Sequence, residues 1–127
     1  MPITYSIDRD ANLITTIGSG NVTLDEVREH FDELVLVLPH AQRLDVLLDM
    51  TRCTSLPRFY ELRAVVQHMD SFGERLRFGR CAIVATRELL YGLLRVFEIY
   101  AGSKFEHIRV FRSERDAKEW LAVHSFG

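Results

Sequence analysis

Ile3, Tyr5 and Ile7 alternate with Thr4, Ser6 and Asp8. A period of two predicts a strand with one wet face. Asp10-Ala11-Asn12 is turn chemistry, and a second strand is predicted over Leu13 to Ile17. So short a loop makes the pair an antiparallel hairpin. Gly18-Ser19-Gly20-Asn21 is expected to end it. The period then lengthens. Thr23-Leu24-Asp25-Glu26 reads as a capping box, in which the threonine oxygen accepts from a helical amide and Glu26 reaches back. Behind it Leu24, Val27, Phe31, Leu34, Val35 and Leu38 share one face. Pro39 is expected to stop this helix.

From Leu44 to Met50 the chain is apolar except for Asp45 and Asp49, the pattern of a central strand covered on both faces. A polar loop is expected from Thr51 to Leu56. Ser55 and Pro57 predict the start of a second helix, with Phe59, Leu62, Val66 and Met69 inward and Ser71-Phe72-Gly73 closing it. Cys81 to Ala85 reads as another central strand. Thr86 is the expected cap of a third helix over Arg87 to Ala101, His107 to Arg112 is the last strand, and Ser113 opens a last helix with Ala117, Trp120 and Leu121 inward. Strand–helix alternation of this kind means parallel strands joined by helical crossovers. The expected fold is therefore α/β: a single ββαβαβαβα domain over residues 1–127, with a five-stranded, mostly parallel sheet and an N-terminal antiparallel hairpin.

The third helix is apolar over most of its circumference. Leu90, Leu93, Leu94, Phe97 and Ala101 form one stripe, broadened by Leu89, Val96 and Ile99. Glu88, Tyr91, Arg95 and Glu98 form a narrow polar edge. Such a helix needs more cover than one sheet supplies. Neighbouring helices, a homodimer contact and a lipid-like ligand are the three expected forms of that cover.

At 127 residues the chain can bury roughly two-thirds of its unfolded surface. Its 16 basic and 18 acidic side chains leave a net charge of −2, which argues against sequence-independent nucleic-acid binding. Arg75, Arg77 and Arg80 cluster around Phe78 and Gly79, most simply as a solvated loop before a strand. No signal peptide or membrane span is read from the sequence, and Cys53 and Cys81 fit a reducing compartment, so a cytoplasmic location is expected.

Three stretches carry a family resemblance. They are the strand Leu44–Asp49 with its polar loop, the strand Cys81-Ala82-Ile83-Val84-Ala85 followed by Leu89-Leu90-Tyr91-Gly92-Leu93-Leu94-Arg95, and the ending Val110-Phe111-Arg112 with Ala117 and Trp120-Leu121. Together they resemble the SpoIIAA-like proteins, a bacterial group related to the STAS domains (sulfate transporter and anti-sigma-factor antagonist). The resemblance implies a five-stranded sheet in a right-handed strand–helix superhelix. In typical anti-sigma-factor antagonists a strand-end aspartate is followed by a loop and an Asp-Ser-Ser-Gly run whose serine is phosphorylated. Here Asp49 matches the aspartate, but the region of the run reads Leu56-Pro57-Arg58-Phe59, with Thr54 and Ser55 nearby. The usual phosphoserine switch is therefore not expected. SpoIIAA-like proteins also resemble a class of lipid-carrier domains.

Sites in open parallel sheets gather beyond the carboxyl ends of the strands. That selects a candidate rim of Asp49, Thr51, Thr54, Ser55, Arg58, Thr86 and Arg87, with Ser113 after the last strand. Thr54, Ser55 and Arg58 are candidates to hold an anion; the plainer alternative is that Ser55 caps the helix and Arg58 is solvated. Asp49 is either a general base or the acceptor of an Asx-type turn, the turn being favoured. Cys53 reads as a loop residue, with an exposed reactive thiol near arginines as the sharper alternative. A disulfide to Cys81 is not expected, because the two cysteines belong to opposite ends of the sheet. His30, His40, His68, His107 and His124 are too scattered for a metal site, and no cofactor is expected. Gly18-Ser19-Gly20 lacks the third glycine of a dinucleotide fingerprint.

The expected function is a non-enzymatic regulatory or protein-interaction module, homodimeric through the third helix, that reads a partner at the Asp49–Arg58 rim. The alternative is a carrier or sensor of a small apolar or lipid-like ligand held between that helix and the sheet. Leu89, Leu93, Val96 and Phe97 would form its wall, with Tyr91, Arg95 and Glu98 either at the mouth or, more simply, an exposed helix edge.

Overall fold

The computed structural model describes residues 2–38 and 43–124, apart from the His124 side chain. The expected helix stop at Pro39 and the side chains of His40 and His124 lie outside what it describes. The elements run β1 (Ile3–Asp8), β2 (Leu13–Gly20), α1 (Leu24–Val37), β3 (Leu44–Cys53), α2 (Phe59–Asp70), β4 (Phe78–Val84), α3 (Glu88–Tyr100), β5 (His107–Phe111) and α4 (Glu114–His124), with a single 3-10 turn at Gly73–Arg75. The sheet has five strands in the order β1-β2-β3-β4-β5. β1 pairs antiparallel with β2, and every other pairing is parallel. Asp49 aligns with Val84, so the ends of β3 and β4 lie on one side of the sheet, as the rim requires.

Side-chain alternation divides the core. Cys81 and Ile83 face a layer that includes Leu62 of α2 and Leu90, Leu94 and Phe97 of α3. Ile14 of β2 meets Leu34 and Val35 of α1 on the same side. Ala82 and Val84 point the other way with Leu47, against Ala117 and Leu121 of α4. Three helices thus cover one face and a single helix the other. The capping box forms as the sequence predicts: Thr23 Oγ1 accepts from Glu26 N at 3.2 Å, and Glu26 Oε1 accepts from Thr23 N at 2.9 Å. Ser113 Oγ likewise accepts from Asp116 N at 3.1 Å to open α4.

Several boundaries differ from expectation. The glycine run does not end β2, because Ser19 and Gly20 go on to pair with Arg52 and Cys53. β3 is correspondingly longer, and Thr51 belongs to it and not to a loop. Between Ile17 and Ser19 two β3 residues, Met50 and Thr51, face the single Gly18. This bulge leaves the Thr51 amide for Asp49 Oδ1, which accepts from Thr51 N at 2.9 Å and from Thr51 Oγ1 at 2.7 Å. A second bulge sets Gly79 and Arg80 against Asp45, whose Oδ1 accepts from Arg80 N at 2.8 Å. Arg80 is therefore a strand residue rather than part of a solvated loop. The two aspartates of the apolar central strand each satisfy a bulge amide.

The second helix starts at Phe59, not at Ser55 or Pro57. Leu56 precedes a proline and is biased away from helical backbone. The chain stays extended to Arg58, whose amide donates to Glu61 Oε1 at 2.9 Å. Phe59 consequently points outward, 59% exposed, while Leu62 and Met69 are buried as expected. Thr86 does not cap the third helix; the cap position is Arg87, and Thr86 is exposed.

Candidate functional site

The rim residues do gather at one end, but most of their polar groups hold the chain together. Ser55 Oγ accepts from Val22 N at 3.0 Å and donates to Val22 O at 3.3 Å, which ties the β3–α2 loop to the start of α1. It is not a helix cap. Thr54 N donates to Gly20 O at 2.8 Å. Arg87 reaches across from the start of α3 and donates through Nη1 to Cys53 O at 2.9 Å and to Ser55 O at 3.3 Å. Asp49 and Thr51 satisfy each other at the bulge, in line with the turn-like reading of Asp49. The side chains of Thr54, Arg58 and Thr86 are exposed. With the Ser55 hydroxyl engaged at Val22, the trio Thr54, Ser55 and Arg58 does not converge on an anion. Cys53 is 2% exposed, its thiol 3.4 Å from Ser55 Oγ, so it is not an exposed thiol. Cys81 is also buried, and burial pushes its thiol pKa far up, with Asp45 adding to the effect. Both cysteines are free.

The third helix buries Leu90, Leu94, Phe97 and Ala101, and half-buries Leu93, Val96 and Tyr91. Leu89 and Ile99 remain 71% and 78% exposed. Its polar edge packs on the last strand. Glu98 Oε2 accepts from Val110 N at 3.1 Å, covering an amide of the edge strand. The Arg112 guanidinium stacks 4.0 Å from the Tyr91 ring centroid and pairs with Glu88. Arg95 contacts the Tyr91 hydroxyl at 3.5 Å and Glu98 at 3.6 Å.

An apolar cavity lies elsewhere. A cavity of about 290 Å³ runs between the sheet and the three-helix layer. The sheet contributes Ile14, Thr16, Val46, Leu48 and Met50. The helices contribute Val27, Phe31, Leu62, Val65, Leu90 and Leu94. Of the wall expected from the sequence only Phe97 reaches it; Leu89, Leu93 and Val96 do not, nor do Tyr91 and Arg95. Asp49 lies on the opposite face of β3 from Leu48 and Met50, so it does not enter either. Exposed Asn21, Thr23 and Leu56 line one end, so the cavity opens between the β2–α1 and β3–α2 loops, on the carboxyl side of the parallel strands. The sequence carried a signal for it. Along the inner face of β2 the side chains shrink from Ile14 to Thr16 to Gly18, and all three line the cavity, the space over Gly18 being taken by Met50. Thr16, 3% exposed, puts a hydroxyl on this apolar wall. His30 lines it too, and burial holds its pKa below the ordinary value against the opposing pull of Glu33.

Among the described residues no three His, Cys, Asp or Glu side chains converge as a metal site, and no helix is long and apolar enough to cross a membrane.

These features define a five-stranded α/β domain with an apolar cavity under its helical layer. The sequence profile of the SpoIIAA-like family matches residues 13–122, and the chain belongs to that family. A crystal structure of an uncharacterised DUF3478-family protein with a SpoIIAA-like fold, from Shewanella loihica PV-4, is similar at TM-score 0.65 and 21% identity, covering 94% of this chain and 93% of that one. An anti-sigma factor antagonist from Mycobacterium paratuberculosis is similar at TM-score 0.58 and 13% identity, covering 94% of each chain. No protein with curated function matches.

Proposed function

We propose that this chain is a non-enzymatic regulatory module of the SpoIIAA type that senses or carries a small apolar molecule. The cavity carries this reading. It opens at its mouth onto solvent while its lining is almost wholly apolar, so water inside is poorly held and a matching apolar molecule gains by displacing it. An apolar cavity of about 150 Å³ takes one benzene, so this one suits roughly ten to twelve carbon atoms. Occupancy would be felt at the rim, because Ser55, Leu56 and Pro57 line the cavity and Arg87 holds the same loop from outside. Without an Asp-Ser-Ser-Gly run, a bound molecule in place of a phosphate is the signal this loop is built to report.

The test is titration of the purified chain with naphthalene, followed by NMR amide shifts. Saturable shifts at Thr16, Leu48 and Leu62 are expected. Shifts confined to the surface, or none up to the solubility limit, would overturn the reading. Native mass spectrometry of gently purified protein adds a second check, in which a co-purified apolar molecule is expected.

A specific observation also favours self-association. Leu89, Gly92, Val96 and Ile99 follow one another at helical spacing on the outer side of α3, and Gly92 has open space around it. A second copy laid on this stripe would cover the two exposed side chains and meet the regulatory role suggested by the anti-sigma factor antagonist among the structural neighbours. Leu89→Asp is expected to leave the fold intact and shift sedimentation from dimer to monomer. A wild-type chain that sediments as a monomer at all concentrations rejects the second reading alone.

A further inference from the structure

The cavity's charge pattern says more about what it holds. Among the described residues, Glu61 is the only lining side chain with a formal charge near neutral pH. No lysine or arginine lines the space. Two helices begin at the mouth, and a helix start attracts anions through free amides. Here each start already carries its own carboxylate. Glu26 holds the Thr23 amide, with Asp25 beside it in the first turn of α1. Glu61 holds the Arg58 amide at α2. The nearby cations are turned elsewhere: Arg28 pairs with Asp25 at 3.5 Å, and Arg87 donates to the Cys53 and Ser55 carbonyls. Arg58 is exposed beside Pro57 and does not line the cavity. Deeper in, the hydrogen-bonding groups are the Thr16 hydroxyl and the His30 imidazole, the latter kept neutral by burial.

We infer that the cavity selects an uncharged ligand with at most a neutral polar group, such as an alcohol or ketone, and discriminates against the matching carboxylate. An ionised carboxylate would enter a largely apolar space past an acidic mouth, with no cation to replace its water. This inference rests on the cavity being a ligand site, and the test separates the two.

The experiment is calorimetric titration of the full chain with 1-nonanol and with nonanoate at pH 7.5, repeated on Leu48→Trp and Glu61→Gln. Nonanol is expected to bind at least tenfold more tightly than nonanoate. Leu48→Trp, which narrows the cavity, should weaken nonanol binding by a similar factor while the melting curve stays cooperative. Glu61→Gln keeps an acceptor for the Arg58 amide and should narrow the preference for nonanol over nonanoate severalfold; an unchanged preference would overturn the role of the acidic mouth in the selectivity. Nonanoate binding as tightly as nonanol would overturn the selectivity and leave the cavity reading standing. Binding of neither probe, or nonanol binding indifferent to Leu48→Trp, would overturn both.

Discussion

Arg87 joins three parts of the rim, and its removal gives the most direct test of how that rim is held. The guanidinium donates to two carbonyls, Cys53 O at 2.9 Å and Ser55 O at 3.3 Å. Hydrogen bonds from a charged donor contribute about 1.5–3 kcal/mol each when well formed. The second is long, and Arg87 itself is exposed, so each is taken near or below the bottom of that range. Truncation in Arg87→Ala should therefore cost about 2 kcal/mol in total. For a chain of this size, each kcal/mol lowers the melting temperature by roughly 3–5 °C, so a fall of about 6–10 °C is expected. Urea unfolding followed by circular dichroism should show a lower midpoint at an unchanged slope, because the change is in stability and not in the surface exposed. Arg87→Lys keeps the charge but loses the planar fork and should recover about half the loss. A melting temperature for Arg87→Ala within about 1 °C of wild type would refute the claim that this side chain holds the β3–α2 loop.

Three further outcomes follow from the same geometry. A Cβ on Gly79 would clash with Asp45 Oδ1, so Gly79→Ala should dislodge that carboxylate from the Arg80 amide and cost about 1–3 kcal/mol in chemical denaturation. Cys53 and Cys81 are both buried, so neither should react with Ellman's reagent over minutes in the native state, and both should react at once in 6 M guanidinium (a concentration in the usual denaturing range). Fast native labelling of either would contradict its burial. Burial lowers the His30 pKa in the folded chain, so the unfolded chain takes up its proton first as the pH falls. The associated stability is complete above the ordinary histidine value and is lost as the pH drops from there through the lower folded value. His30→Gln should therefore show a smaller loss of stability between pH 7.5 and pH 5 than wild type (a window chosen to span the usual histidine range of about 6.5), and equal slopes would refute the assignment.

Patterns that depend on near neighbours were legible in the sequence. The Thr23–Glu26 capping box, the period of each helix and the parallel order of the central strands all follow from local spacing, and they place Asp49 and Arg87 at one end of the sheet. What the sequence concealed depends on distant partners. Ser55 reads as a helix cap because serine before a proline so often is one. Its hydroxyl goes instead to Val22, 33 residues away. The bulges leave no local trace, since they arise where one strand fits against another. So apolar an α3 points to a cavity beneath that helix. The cavity lies largely under α1 and α2, over the Ile14, Thr16 and Gly18 face of β2. Leu89 and Ile99, which broaden the apolar surface of α3 in the sequence, face outward because Leu90, Leu94 and Phe97 already fill the contact with the sheet.

The two aspartates of β3 have a consequence for how the chain finds its alignment. Sliding that strand by one position against its neighbours would turn Asp45 and Asp49 toward the oily layer beneath three helices. There they would meet no amide and no cation, at a cost of several kcal/mol apiece. Misaligned pairings are thereby penalised as soon as the sheet closes, and a strand that is otherwise monotonous in its greasiness has one favoured place to settle.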